Sequence, residues 1–232
     1  MREVIAVKAF DKLPPEFRNP EVRRYYDMLQ KKQASVVLKR AFDIFVALLM
    51  LVFLILPIAF IAVAVKLDSK GPVMFRQERV TKYGKTFRIF KFRTMVVNAE
   101  SLGSLVTTDS DSRVTRIGRK LRKYRLDELP QIFNVLGGSM SFVGTRPEVI
   151  KYVNAYEDVY YATLLLPAGI TSLASIMYKD EEKLLASNED PDEVYIGQIL
   201  PEKMKYNLEY LEHFGFLSDI GLMFKTVKEV LH

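Results

Sequence analysis

The sequence predicts an α+β, mostly helical fold, in which a membrane helix is joined to a small cytosolic domain with a β-hairpin and amphipathic interfacial helices. Three observations predict this fold. Residues 44 to 65 carry no charge, two β-prone runs follow them across a short turn, and several later segments have apolar residues at helical spacing. With 232 residues and 49% hydrophobic composition, the chain is long enough for one such domain and too short for two.

The composition restricts the chemistry. The chain has 34 Lys and Arg against 28 Asp and Glu, which favours anionic partners such as phosphates, acidic lipid surfaces or nucleic acid. It has no cysteine, which excludes disulfides, thiolate nucleophiles and Cys-ligated zinc. Its two histidines are His213, inside a predicted helix, and His232, the last residue, so a Ser-His-Asp relay is disfavoured. Carboxylates, Lys, Arg and a hard metal remain, and these groups suit phosphate chemistry.

The N-terminal segment, residues 1 to 35, is polar and interrupted by prolines. It predicts a peripheral arm with a short helix around Glu21 to Lys32 and no active-site role.

The uncharged run from Ile44 to Val65 predicts a retained membrane segment within residues 36 to 66, because charged residues precede it and no small-residue cleavage site follows it. Basic residues flank both of its ends, so both flanks resemble cytoplasmic loops. Pro57 lies inside the run and favours a bend. A re-entrant helix explains both features, and a single-pass anchor with a tolerated proline is the alternative.

The next two runs, Val73 to Val80 and Thr86 to Phe92, predict a hairpin around Tyr83 and Gly84. Alternation along a strand places Lys91 and Arg93 on one face, where they are either solvated or phosphate ligands.

Residues 113 to 125 carry seven basic residues and no acid, and Val114, Ile117, Leu121 and Tyr124 recur at helical spacing. The segment predicts a basic amphipathic helix that contacts anionic head groups or a lipid phosphate. Two later helices are predicted, one from Glu202 to Phe214 and one after it. The apolar stripe of the second is assigned to the core and consists of Leu217, Ile220, Phe224, Val227 and Leu231.

Two adjacent carboxylates, Asp127 and Glu128, follow the basic helix and precede Pro130, which is allowed where a new helix begins. One could attack phosphorus while the other holds a metal; the alternative is that Asp127 is only a helix cap. Arg146 follows a short predicted strand in a proline-stiffened loop, a suitable setting for phosphate. Asp219 precedes the predicted last helix, and capping is the simplest explanation of its position.

Five segments in a fixed order resemble the bacterial sugar transferase family, the monotopic phosphoglycosyl transferases. They are Lys39 to Asp43, Gly71 to Arg79, Phe87 to Met95, Leu126 to Gln131 and Gly144 to Glu148. The resemblance extends from about Val36 to the C terminus, and since no four-helix membrane domain precedes it, the chain resembles the minimal members.

The resemblance implies transfer of a phosphosugar from a UDP-sugar to a polyprenol (undecaprenyl) phosphate at the start of surface glycan assembly, with UMP released in a ping-pong scheme. Asp127 would be the nucleophile and Glu128 the carboxylate near Mg²⁺. Asp219 would be a second metal ligand or a supporting group. Arg146 would bind phosphate, and Lys91 and Arg93 would contact phosphate or nucleotide.

The resemblance also implies a division into an arm (residues 1–35), a re-entrant helix (36–66) and a cytosolic transferase domain (67–232). The enzyme would lie in the bacterial inner membrane with this domain on the cytoplasmic face. Its partners would be the two substrates and membrane lipids, without nucleic acid; the sugar and the oligomeric state are not readable.

Three departures from the family pattern occur. The kink that the family places at Ser-Pro is Leu56-Pro57 here, Thr145 replaces a usual proline, and Leu166 to Thr171 lacks the usual basic residue. The acidic stretch from Lys179 to Glu193 is assigned to a specificity loop.

Two rival functions remain. Asp109-Ser110-Asp111 resembles the metal motif of glycosyltransferases that release UDP, and a polar loop that caps the basic helix explains it equally well. A membrane-anchored basic scaffold is the non-enzymatic alternative.

Overall fold

The computed structural model describes residues 7–99, 111–178 and 191–231. Its helices in chain order are α1 (Pro20–Lys31), α2 (Gln33–Asp68), α3 (Arg116–Lys123), α4 (Gln131–Gly137), α5 (Ile150–Val153), α6 (Leu173–Met177), α7 (Pro191–Val194), α8 (Leu200–Glu212) and α9 (Phe216–Leu231). Shorter helical turns include Leu126–Glu128 and Asp158–Leu165, both 3₁₀, and the π-helical Tyr195–Ile199. The described chain is mostly helical, with two small sheets.

The first sheet pairs β1 (Met74–Val80) with β2 (Thr86–Phe92) in antiparallel register, from Met74 opposite Phe92 to Val80 opposite Thr86. The connection is tight because Tyr83 and Gly84 both adopt positive φ, 61° and 70°.

The second sheet pairs β3 (Met140–Val143) with β4 (Ala168–Thr171) in parallel. Just beyond β3 the two backbones nearly touch, since a Cβ on Gly169 would lie 2.2 Å from the amide nitrogen of Gly144. Glycine is required there because any side chain would push the strands apart. The contact fixes the start of the loop that carries Arg146.

Helix α2 is long and apolar enough to cross a membrane, by length and composition. Its middle is exposed: Val52, Leu56 and Phe60 are 72%, 77% and 76% accessible. Helical assignment continues through Pro57. The ends, in contrast, are bound to the rest of the chain.

These end contacts are specific. Near the N-terminal end of α2, Asp43 accepts a hydrogen bond from the Phe142 amide at 3.2 Å, and Lys39 donates to the Val143 carbonyl at 2.7 Å. At the C-terminal end, Asp68 accepts from the Ile117 amide at 3.0 Å. Both ends of the apolar helix are therefore held by the domain that follows it.

The segment before α2 is not peripheral in its packing. Val22, Tyr25, Tyr26 and Leu29 of α1 are buried, with Asn19 as the cap that accepts from the Val22 amide. These residues recur at intervals of three and four, so they form one inward face, while the charged residues that dominate the composition lie on the other. The expectation of a peripheral arm was wrong because it weighed overall polarity above this spacing.

The stripe assigned to the core on the last helix is also corrected. Leu217, Phe224 and Val227 of α9 are 79%, 73% and 57% exposed. The opposite face docks instead: Asp219 and Leu222 are buried, and the Thr226 hydroxyl hydrogen-bonds that of Thr171. Apolar periodicity shows that a helix has two unlike faces, but it does not show which face meets the core.

Candidate active site

A cavity of about 1080 Å³ lies between the β1–β2 hairpin, helix α3, the Leu126–Glu128 turn and the loop after β3. Five of the residues selected from the sequence line it: Lys91, Arg93, Asp127, Glu128 and Arg146. They come from segments up to 55 positions apart. The tertiary structure thus brings these five predicted residues to one cavity. Asp219, which was also predicted, does not line it.

The two adjacent carboxylates are presented by a sharp reversal of the chain. Arg125 adopts left-handed φ of 52°, which ends the run of α3 and starts the short Leu126–Glu128 turn. Pro130 then occupies the position before α4, where its missing amide hydrogen costs no helical hydrogen bond. No side chain caps either element. The capping explanation of Asp127 is therefore wrong.

Glu128 is the paired carboxylate. Its Oε1 accepts from Lys91 Nζ at 2.8 Å and from Arg146 Nη2 at 2.7 Å. Burial opposes ionisation of Glu128, but the two cations outweigh it and hold its pKa well below the usual range. Glu128 is consequently a permanent anion that orders two cations around the cavity.

Asp127 is the unpaired carboxylate. Its side chain is buried, with the residue 9% exposed. No other residue in the described ranges donates a hydrogen bond to its carboxylate or forms an ion pair with it. Burial raises the pKa of Asp127, and the nearby Lys91 ammonium only partly opposes that shift. A desolvated carboxylate with free lone pairs is suited to nucleophilic attack.

The Arg146 loop is held from behind by residues that the sequence analysis did not select. Glu148 accepts from the Tyr195 hydroxyl at 2.7 Å, and Lys203 Nζ donates to that hydroxyl at 2.8 Å. All three are buried. Arg79 Nη1 adds a hydrogen bond to the Pro147 carbonyl at 3.1 Å. No local pattern indicates this support, because Tyr195 and Lys203 lie 47 and 55 positions from Glu148.

The remaining wall is strongly cationic. Helix α3 and its flanks, predicted to contact head groups or a lipid phosphate, line the cavity together with β1 through Arg76, Arg79, Arg113, Arg119, Arg122, Lys123 and Arg125. Such a wall attracts a polyanion and repels cationic small molecules. The acid-free run from 113 to 125 predicted a cationic surface, but it did not predict that this surface would face the cavity.

Asp219 lies outside the cavity. It forms a buried ion pair with Lys39 and accepts from the Tyr210 hydroxyl at 3.0 Å, so both carboxylate oxygens are engaged. Of the two roles expected for Asp219, metal ligand or supporting group, these contacts favour support, because they tie α9 to the base of α2.

The aspartate motif of the rival glycosyltransferase reading is only partly visible, since Asp109 and Ser110 lie outside the described residues. Asp111 is engaged by its neighbour: Arg113 Nε and Nη2 donate to its two carboxylate oxygens at 2.9 and 2.6 Å. Within the described ranges, no group of three or more acidic or histidine side chains is arranged to hold a metal ion. Asp111 lies in a polar loop, but the cap of α3 is Thr115, whose side chain accepts from the Gly118 amide at 3.0 Å. A capping role for Asp111 was therefore wrong.

Comparison with known proteins agrees with the motif order. The family model for bacterial sugar transferases matches residues 34–232. The chain belongs to the bacterial sugar transferase family. The match begins within the first turn of α2, so helix α1, whose apolar face is part of the core, precedes the family region.

Several curated relatives are similar across the same region. The chain is 36% identical to the UDP-N-acetylgalactosamine-undecaprenyl-phosphate N-acetylgalactosaminephosphotransferase of Aeromonas hydrophila, over 84% of this chain and 44% of that protein. It is 37% identical to the UDP-glucose:undecaprenyl-phosphate glucose-1-phosphate transferase of Escherichia coli K12, over 82% and 39%. It is 35% identical to the undecaprenyl-phosphate glucose phosphotransferase of Komagataeibacter xylinus, over 87% of this chain and 38% of that protein. The chain thus spans about two fifths of the length of these relatives.

Proposed function

We propose that the chain transfers a phosphosugar from a UDP-sugar to a polyprenol phosphate such as undecaprenyl phosphate, releases UMP, and so begins assembly of a surface glycan. The relatives named for this reaction and the cation-lined cavity support the proposal. The observation that carries it is the contrast between neighbours: Asp127 is buried and unpaired, whereas Glu128 is neutralised by Lys91 and Arg146.

The proposed reaction has two steps. A carboxylate oxygen of Asp127 attacks the sugar-bearing phosphorus, the bond to the UMP oxygen breaks, and an aspartyl phosphosugar forms. An oxygen of the lipid phosphate then attacks the same phosphorus, the acyl phosphate bond breaks, and Asp127 is restored. Each step exchanges one high-energy phosphate bond for another, so no ATP is consumed. Lys91 and Arg146 lie where they can bind the transferred phosphate.

We further propose Mg²⁺ as the cofactor, with Glu128 as its protein carboxylate. The fit rests on donor chemistry: Oε1 of Glu128 accepts the hydrogen bonds from Lys91 and Arg146, and Oε2 accepts none from a described residue. One or two carboxylates plus substrate phosphates are the usual ligands of Mg²⁺ at phosphoryl transfer sites. When bound, the ion would neutralise charge on the diphosphate and on the departing UMP.

The membrane arrangement that the contacts favour is re-entrant. A straight helix would separate Asp43 from Asp68 by about 37 Å, more than the roughly 30 Å of a hydrocarbon core. Asp43 is bound to Phe142 and Asp68 to Ile117. The chain between those partners holds the basic helix α3 and the site carboxylates, which cannot lie across hydrocarbon. These contacts support our proposal that both ends of α2 lie on one side of the inner membrane, the cytoplasmic side.

Helix α9 extends this membrane surface. Phe216 at its start contacts Phe42 of α2, with ring centroids 5.3 Å apart, and its exposed stripe has no protein partner among the described residues. We propose that Leu217, Phe224 and Val227 lie at the lipid interface, as an amphipathic helix does.

Because the sequence has no cysteine, single-cysteine variants test this topology directly. Lys31→Cys and Lys70→Cys should both resist an impermeant thiol reagent in intact cells and react in inside-out vesicles. Val227→Cys should react in detergent and be protected in vesicles. Reaction of residue 31 or 70 alone from the outside would establish a single-pass anchor instead.

The reaction itself is tested by product identity. Solubilised protein with Mg²⁺, polyprenol phosphate and a panel of UDP-sugars should release UMP from at least one donor. Release of UDP would favour the glycosyltransferase alternative, and a protein that bound acidic lipid but turned over no donor would favour the scaffold.

A further inference from the structure

Arg93 differs from the other selected cations because it is buried without an anion. The residue is 5% exposed, and its Nη2 donates to the Ser69 carbonyl at 2.6 Å and to the Ser69 hydroxyl at 2.8 Å. Its Nε and Nη1 have no hydrogen-bond partner, and no carboxylate in the described ranges pairs with it. Burying a guanidinium in this way is costly unless an anion completes it.

The position of the Arg93 side chain depends on a glycine beside it. Gly71 adopts φ of 127°, and a Cβ at that position would lie 2.2 Å from Arg93 Nη1 and 2.5 Å from Val97 Cγ2. Only glycine leaves room for the guanidinium here, and the side chain of Val97 packs beside it. Arg93, Val96 and Val97 all line the cavity.

The surroundings indicate which phosphate Arg93 meets. Its anchor, Ser69, is the residue directly after α2, so the guanidinium lies where the apolar helix leaves the membrane. The neighbouring apolar side chains are exposed: Leu67 at 82%, Val96 at 42% and Val97 at 48%. The first isoprene units of a lipid phosphate can lie along this apolar border while the phosphate meets the guanidinium.

We propose that Arg93 and the exposed valines form the acceptor subsite, in which Arg93 binds the phosphate monoester of the polyprenol lipid while Val96 and Val97 border its chain. Binding of this phosphate requires the half-exposed Val97 side chain to move, because Nη1 is buried beside it. The donor diphosphate is left to Lys91 and Arg146, beside the carboxylates. This inference rests on the proposed function. It assigns Lys91 and Arg146 to the half-reaction with the donor and Arg93 to the half-reaction with the acceptor.

The half-reactions can be measured separately. Without acceptor, a UDP-sugar should give a burst of UMP equal to the enzyme; polyprenol phosphate should then discharge the adduct. Arg93→Gln should keep the UMP burst within about twofold of wild type and raise the KM for polyprenol phosphate at least about tenfold, since a charge-assisted hydrogen bond to the acceptor is lost. Arg93→Lys, which keeps the charge and loses the planar fork, should be intermediate.

The matched control is Arg24→Gln, because Arg24 on α1 is 69% exposed in its side chain and does not line the cavity. It should change neither half-reaction. An unchanged acceptor KM in Arg93→Gln, or a loss of burst amplitude as large as the loss of transfer, would overturn the acceptor subsite. A wild-type enzyme without any UMP burst would instead overturn the proposed function, so the two failures are distinguishable.

Discussion

Asp127→Asn should abolish the UMP burst and lower steady-state turnover by about 10⁴-fold or more, as loss of a covalent nucleophile does in other enzymes. The amide keeps the shape of the side chain and removes the attacking oxygen anion. Single-turnover UMP release and intact-mass detection of the phosphosugar adduct measure the loss. Asp27→Asn is the matched control, because Asp27 is half-exposed on α1 and pairs only with Arg23.

The same variant should be more stable than wild type at neutral pH. Burial raises the pKa of Asp127 above its ordinary 3.8, so the folded state favours the protonated form. The stability linked to that proton is complete below 3.8 and is lost as pH rises through the folded pKa. At pH 7 the ionised carboxylate therefore opposes folding, and asparagine removes that cost. A lower denaturation midpoint for Asp127→Asn would contradict the unpaired state seen here.

Activity should depend on pH through the same group. Attack needs ionised Asp127, so the rate of the UMP burst should fall as pH decreases, with an apparent pKa above 3.8. Glu128 cannot supply this acid limb, since its pKa is held far lower by Arg146 and Lys91.

Glu128→Gln should have the second largest effect, a fall in turnover of about 10²- to 10³-fold, typical of removing one electrostatic group from a preorganised site. The amide leaves Lys91 and Arg146 without their shared anion and weakens the only carboxylate assigned to Mg²⁺. The rate measured across a Mg²⁺ titration should reach half its maximum at a higher concentration than in wild type. Glu202→Gln, on an exposed face of α8, is the control.

The stability change should have the opposite sign from that of Asp127→Asn. The pKa of Glu128 is lowered by folding, so its contribution is complete above the ordinary value of 4.5 and is lost as pH falls towards the folded pKa. Glu128→Gln should therefore destabilise the protein at neutral pH, and the difference from wild type should shrink below about pH 4.5. Equal shifts for the two variants would mean that the paired and unpaired assignments are wrong.

The sequence by itself predicted five residues that line one cavity in the structure, and it predicted the long apolar helix α2. The cations and the two adjacent carboxylates could be predicted from the motifs because few residue types can bind phosphate or attack it. The uncharged length of α2 is readable because the thickness of a bilayer sets the length of a helix that enters it. The spacing of the apolar residues in α1 also indicates its buried face, although the polar composition of the segment led to the prediction of a peripheral arm.

Only the tertiary structure decided the state of each group. Asp127 and Glu128 are neighbours in the chain, yet one is unpaired and the other binds Lys91 and Arg146, which lie 37 and 18 positions from Glu128. Asp219 lies outside the cavity because it pairs with Lys39, 180 positions away. The apolar stripe of α9 faces outward rather than into the core. Charge pairing and burial depend on which surfaces meet in space, and a local pattern cannot specify a partner that the fold brings from elsewhere.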